Sequence, residues 1–110
     1  MNDLTLKKIA LSSHKGVEFV PLDDIIFCQA EGSYSTFFLS GDRKIVVSKP
    51  IKHYANSLPK DLFIRCHKSF IIQIKHLTHL DKSGDITMSN GMSVRCAKVK
   101  RDKILDMFIK

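Results

Sequence analysis

The chain predicts an all-β fold, mainly antiparallel, of several small packed sheets with one or two short helices. Three observations carry this prediction. Short β-branched and aromatic runs recur between Gly, Pro, Ser, Asn and Asp clusters. An Asn-Gly pair, Asn90-Gly91, stands between two strand-like runs. Helical spacing is confined to Pro50–Leu58 and the C-terminal tail.

In chain order, Leu6–Leu11 and Val17–Val20 read as strands around a Ser12–Gly16 turn. Pro21–Asp24 is a connecting turn, because Pro and Asp both favour turn positions. Ile25–Ala30 is a strongly apolar, central strand. Glu31-Gly32-Ser33 breaks it, and Tyr34–Leu39 returns. Ser40–Arg43 is the next turn and Lys44–Val47 the next strand.

Pro50 suits a first helical position, where a missing N–H costs nothing. Ile51, Tyr54, Ala55 and Leu58 then share one helical face, and Pro59 ends the helix. Phe63–Cys66 leads into a strand at Phe70–Ile74, and Leu77–Leu80 adds another. Ile86–Ser89 and Met92–Arg95 flank Asn90-Gly91, which predicts a type I′ turn with positive φ at both residues. Lys98–Ile109 reads as a helix with Ile104, Met107 and Phe108 on one side.

The 110 residues fit one domain, 1–110, large enough for a modest core without metal or disulfide support. Hydrophobic residues make up 44% and charged residues 26%, a globular composition rather than a disordered one. No apolar run is long enough to span a bilayer, and the first residues lack a signal-peptide pattern, so the expected compartment is the cytoplasm. Three cysteines without a CxxC pair read as small buried apolar residues.

The net charge is +7. From Arg65 onward there are ten Lys/Arg against four Asp/Glu, whereas the first 64 residues hold eight against seven. A basic half of this kind expects an anionic partner. Nucleic acid is favoured over a membrane surface, because no long basic amphipathic helix is present.

Enzyme chemistry finds no support. Ser69 lies near His67 without a G-x-S-x-G elbow. His67, His76 and His79 match no zinc spacing, and no Gly-rich phosphate loop exists. The expected catalytic residues, metals and cofactors are therefore none. Three polar patches stand out instead. Arg65-Cys66-His67-Lys68-Ser69 packs cations, a ring donor and a hydroxyl at the mouth of the apolar run Phe70-Ile71-Ile72. Such groups suit phosphate oxygens and base edges. The alternative is a solvated strand end with Arg65 paired to a carboxylate. Glu31–Tyr34 reads equally well as a plain turn or a DNA contact. Lys98–Lys103, alone, reads as an ordinary basic helix face.

Together these pieces resemble the LytTR family of bacterial DNA-binding domains over roughly Ile9–Phe108. Leu22–Phe27 is followed by Ala30-Glu31-Gly32-Ser33-Tyr34, then Val46–Lys52, Leu58-Pro59, Phe63–Ile72 and the hairpin at Asn90-Gly91. The Arg-x-His-x-Ser-Phe signature at Arg65–Phe70 is the specific part.

The resemblance implies DNA reading by inter-strand loops in the major groove, with bending, in the output domain of a two-component response regulator. Carried onto this chain, it implies a reading surface of Ser33, Tyr34, Arg65, His67, Lys68, Ser69, Lys98, Lys100 and Arg101, with Lys49 on the backbone. The implied partners are double-stranded DNA, a second protomer on tandem repeats, and a receiver domain that these 110 residues do not contain. The chain departs from the family pattern at Lys68, where Arg or Asn is usual, at Gln73 for Asn, and at Ala97-Lys98 for Ser-Arg. Lys is a point charge without the planar fork of Arg, so phosphate holding at Lys68 and Lys98 is expected. Two competing readings remain: a single-stranded nucleic-acid binder using Tyr34 as a stacking platform, and a protein-interaction module with an acidic partner.

Overall fold

The computed structural model describes residues 7–110. Among them are ten strands and two α-helices. The first hairpin pairs β1 (Lys8–Ser13) with β2 (Gly16–Pro21). Leu6, where the first strand was expected to begin, lies outside the described residues. A single 3-10 turn, Leu22–Asp24, replaces the plain Pro-Asp turn.

The central sheet follows from apolar continuity. β3 (Ile25–Glu31) pairs with β4 (Tyr34–Leu39) and with β7 (Phe70–Gln73). β5 (Arg43–Val47) and β6 (Phe63–His67) flank them, in the order β5-β4-β3-β7-β6, all antiparallel. Ile25, Ile26, Phe27 and Cys28 are all buried. An unbroken apolar run fits this place, since a strand covered on both faces needs apolar side chains on both.

Two cores result. One joins Cys28, Phe37, Leu39, Ile45, Val47 and Ile71 of the sheet to Leu11 and Val20 of the first hairpin. Ile51, Tyr54 and Leu58, at the helical spacing read from the sequence, close it from α1 (Ile51–Ser57) and its C-cap. Pro50 precedes α1 in extended conformation (ψ 157°), one position earlier than expected. The second core joins Phe27, Ile64, Cys66 and Ile72 to a small sheet of β8 (Leu77–Leu80), β9 (Asp85–Met88) and β10 (Ser93–Arg95). Phe27 stacks on Phe38 at 4.4 Å between ring centroids, a dense contact within this layer.

Gln73 is fully buried and donates through Nε2 to the carbonyls of Leu22 (2.7 Å) and Ile25 (2.6 Å). It fastens the end of β7 to the start of β3.

The Asn90-Gly91 turn differs from the expected type I′. Met88 and Met92 remain bonded (2.9 Å), so the loop is the three residues Ser89-Asn90-Gly91. Only Gly91 has positive φ (84°), while Asn90 accepts from Met92 N–H through Oδ1 at 3.0 Å. This is a type I turn closed by a left-handed glycine, the usual three-residue hairpin. The tail also differs. α2 spans Lys98–Leu105, shorter than expected, with Ile104 buried and Met107 and Phe108 exposed. Only one of the three expected apolar positions is buried in the core, and beyond Leu105 the chain continues as turns, with Met107 N–H on the Ile104 carbonyl (3.0 Å) and Phe108 N–H on that of Leu105 (3.2 Å). No described helix is long and apolar enough to cross a membrane.

Candidate nucleic-acid interface

Antiparallel pairing puts alternate turns at opposite ends of the sheet. The β3–β4 turn, the β6–β7 turn and the exit of β5 therefore share one end. Glu31 faces Tyr34 across the β3–β4 turn, leaving Gly32 and Ser33 as its two central residues. Gly32 has φ 65°, the backbone that a tight hairpin demands at its first central position and that glycine adopts without a Cβ clash. Ser33 and Tyr34 project there, with Tyr34 51% exposed. Lys49 follows β5 and is exposed. Its carbonyl accepts from the buried Ser35 hydroxyl at 2.7 Å, which fixes its backbone beside β4.

The β6–β7 turn is braced from within. Arg65 donates through Nη2 to the carbonyl of Lys68 at 2.6 Å. The alternative reading of Arg65 is thereby corrected: its partner is a carbonyl, not a carboxylate. His67 Nδ1 accepts the Ser69 N–H at 3.1 Å. A nitrogen that accepts carries no proton, so neutral His67 holds its hydrogen on Nε2, free to donate elsewhere. The Ser69 carbonyl accepts from Ala30 N–H at 2.8 Å, tying this turn to the end of β3. Lys68 is exposed at the tip. On the other side, Ala97 N–H donates to the Cys66 carbonyl at 2.7 Å. That bond seats the first turn of α2 against β6, with Lys98 exposed at its start.

Seven expected residues therefore meet on one edge: Ser33, Tyr34, Lys49, His67, Lys68, Ser69 and Lys98. Three are placed differently. Arg65 reaches Lys68 from behind and, with Lys100, lines a cleft between α1 and α2. Arg101 donates to the carbonyls of Asp81 (3.0 Å) and Lys82 (3.2 Å), anchoring α2 to the β8–β9 turn. Arg65 thus supports the edge from behind, whereas Arg101 fastens α2 to a turn away from it.

The structure adds residues that sequence reasoning missed. Gln29, Ser93 and Arg95 border an open depression of about 430 Å³ shared with His67 and Ser69. Arg95 is exposed between buried Val94 and Cys96, a period-two alternation that marks an outward position. That signal was readable; the proximity to His67 was not.

Of the remaining histidines, His76 bonds Ser89 Oγ through Nδ1 (2.8 Å) and the Asp23 carbonyl through Nε2 (2.7 Å). Because a carbonyl only accepts, Nε2 carries hydrogen there. Burial raises the Cys28 and Cys66 thiols to about 12, so both stay protonated near neutrality.

A family model for the LytTr DNA-binding domain matches residues 15–108. The chain belongs to the LytTR family. It is thus a DNA-binding domain. The fold is similar to that of a LytTr DNA-binding domain of a response regulator from Bacillus cereus, with a TM-score of 0.77 and 21% identity. That similarity covers 92% of this chain and 95% of the other. No curated protein matches the chain in sequence. The mostly antiparallel LytTR fold of several small sheets and two short helices is the one expected from the sequence.

Proposed function

We propose that this LytTR domain recognises double-stranded DNA sequence-specifically, with its inter-strand loops in the major groove. The observation that carries this reading is the bonding of three turns into one rigid edge, through Ala30–Ser69 and Ala97–Cys66. Five strands at the usual spacing make an edge of about 19 Å, wider than a major groove of roughly 12 Å. The ends of the row, Lys49 and Lys98, then fall on phosphates. The middle, with Ser33, Tyr34, His67, Lys68 and Ser69, faces base edges. His67 Nε2–H and the hydroxyls of Ser33 and Ser69 supply directional hydrogen bonds, whereas Lys68 supplies charge.

A stiff edge wider than the groove favours bending of the duplex toward it. Arg95 and Gln29 extend the same surface. Two protomers on tandem repeats, a receiver domain upstream and action in the cytoplasm as part of a two-component system complete the proposal.

Selection of bound duplexes from a random pool, followed by anisotropy titrations, tests it. The selected duplex is expected to bind at least about a thousandfold tighter than random duplex. Lys68→Ala should lower affinity sharply or change the preferred sequence. Equal binding of random and selected duplexes at every salt concentration would refute specificity. Tighter binding of single strands than duplex would favour Tyr34 as a stacking platform instead.

A further inference from the structure

A second basic feature lies behind the loop edge. The cleft between α1 and α2 has a volume of about 270 Å³. Tyr54, Leu58, Phe63 and Ile71, all members of the first core, form its floor. Lys60, Arg65, Lys100 and Lys103 stand around it. Among the described residues no carboxylate lines the cleft, and none of these four cations joins an ion pair. Lys60 reaches only the Ala55 carbonyl, at 3.4 Å. Arg65 Nε is buried without a hydrogen-bond partner, although Nη2 of the same group is used on Lys68.

Four converging like charges repel one another, and a buried donor without an acceptor is costly. An anion in the cleft offsets the repulsion, and it reaches Nε, which has no exposed surface, when the Arg65 side chain turns toward it. An inorganic anion leaves the apolar floor uncovered, and a neutral apolar molecule leaves the cations and Nε unmet. We propose that the cleft binds a small amphipathic anion: an acidic group held by Arg65 and the lysines, on an aromatic or aliphatic body lying over Tyr54 and Leu58. The volume, just below the roughly 300–1,000 Å³ of typical ligand pockets, suits a compact molecule. Arg65 links this cleft to the loop edge. An acidic group that accepts from Nε competes for the guanidinium whose Nη2 holds the Lys68 carbonyl, so occupancy is felt at the β6–β7 turn.

The test uses naphthoate as probe, titrated into the isotope-labelled full chain and followed by amide NMR shifts without DNA. Saturable shifts are expected at Tyr54, Leu58 and Lys103, accompanied by shifts at Lys68 and Ser69. Neutral naphthamide and inorganic phosphate should each bind at least about tenfold more weakly. Lys60→Gln with Lys103→Gln should weaken naphthoate about tenfold while leaving the rest of the spectrum in place. Phosphate binding as tightly as naphthoate would overturn the proposal, leaving a plain phosphate patch. So would equal binding of naphthamide, shifts confined to other surfaces, or no saturation. Unmoved Lys68 and Ser69 amides would overturn the link to the edge. Because no DNA is present, failure here leaves duplex recognition untouched, and the reverse also holds.

Discussion

Arg65 holds the carbonyl of Lys68 at 2.6 Å from behind the turn that presents Lys68 outward. The most conspicuous cation of the sequence motif thus acts on its neighbour's backbone. A charged donor on a carbonyl contributes about 1.5–3 kcal/mol in favourable settings. Arg65→Ala should therefore loosen the β6–β7 turn and weaken duplex binding about tenfold or more. Arg65→Lys should restore charge without restoring affinity, because Lys lacks the planar fork. Anisotropy titrations of both variants decide this; full rescue by Lys would show that charge alone matters.

Lys49→Ala and Lys98→Ala should weaken all duplexes about equally. Each should reduce the slope of log affinity against log salt by about 1, as expected for loss of one phosphate contact. Titrations of selected and random duplexes across a salt series measure this. A change in preferred sequence instead would move these lysines from the backbone to the bases.

Gln73→Leu keeps the volume of the side chain but removes its two bonds to Leu22 and Ile25. Loss of these bonds from a fully buried site should cost about 1–3 kcal/mol, read as a lower urea midpoint with an unchanged slope. Gln73 Oε1 has no protein partner, so the loss is confined to the donor side.

Asp81 organises the β8–β9 turn, accepting from the Ser83 hydroxyl and from the N–H groups of Ser83, Gly84 and Asp85. The Ser83 hydroxyl chiefly, then the backbone donors, hold its carboxyl below the usual value. The sign follows from a lowered folded value. Stability from this group is present above the ordinary carboxylate pKa and is lost as pH falls through the depressed one. The protection of the Gly84 and Asp85 amides, measured against their intrinsic exchange rates, should fall below about pH 4. Asp81→Asn should show faster exchange at neutral pH and no such acid step. Because Arg101 bonds the carbonyls of this turn, α2 should loosen with it.

Cys66 is fully buried and its thiol is pushed up to about 12 by burial. Cys28 is raised to the same level for the same reason. Both should resist alkylation in the folded chain near pH 7 and react promptly in urea, as mass spectrometry would record. Rapid native labelling would mean that β6 opens far more readily than its packing implies.

The sequence by itself determined the elements and the family. Strands such as Tyr34–Leu39 and Leu77–Leu80 were legible because covered and half-covered strands leave distinct apolar patterns over a few residues. The Arg-x-His-x-Ser-Phe motif marked the edge for the same local reason. Tertiary structure decided what local pattern does not contain: which way each cation points and what it bonds. Arg65, Lys100 and Arg101 are as basic as Lys68 and Lys98, yet the first two border a cleft and the third clamps a distant turn. The loop at Asn90-Gly91 was settled likewise by pairing register, since one added residue lets glycine alone take positive φ. Charge and hydropathy are properties of single residues. Direction is set by strand pairing across dozens of positions, and only the folded chain fixes it.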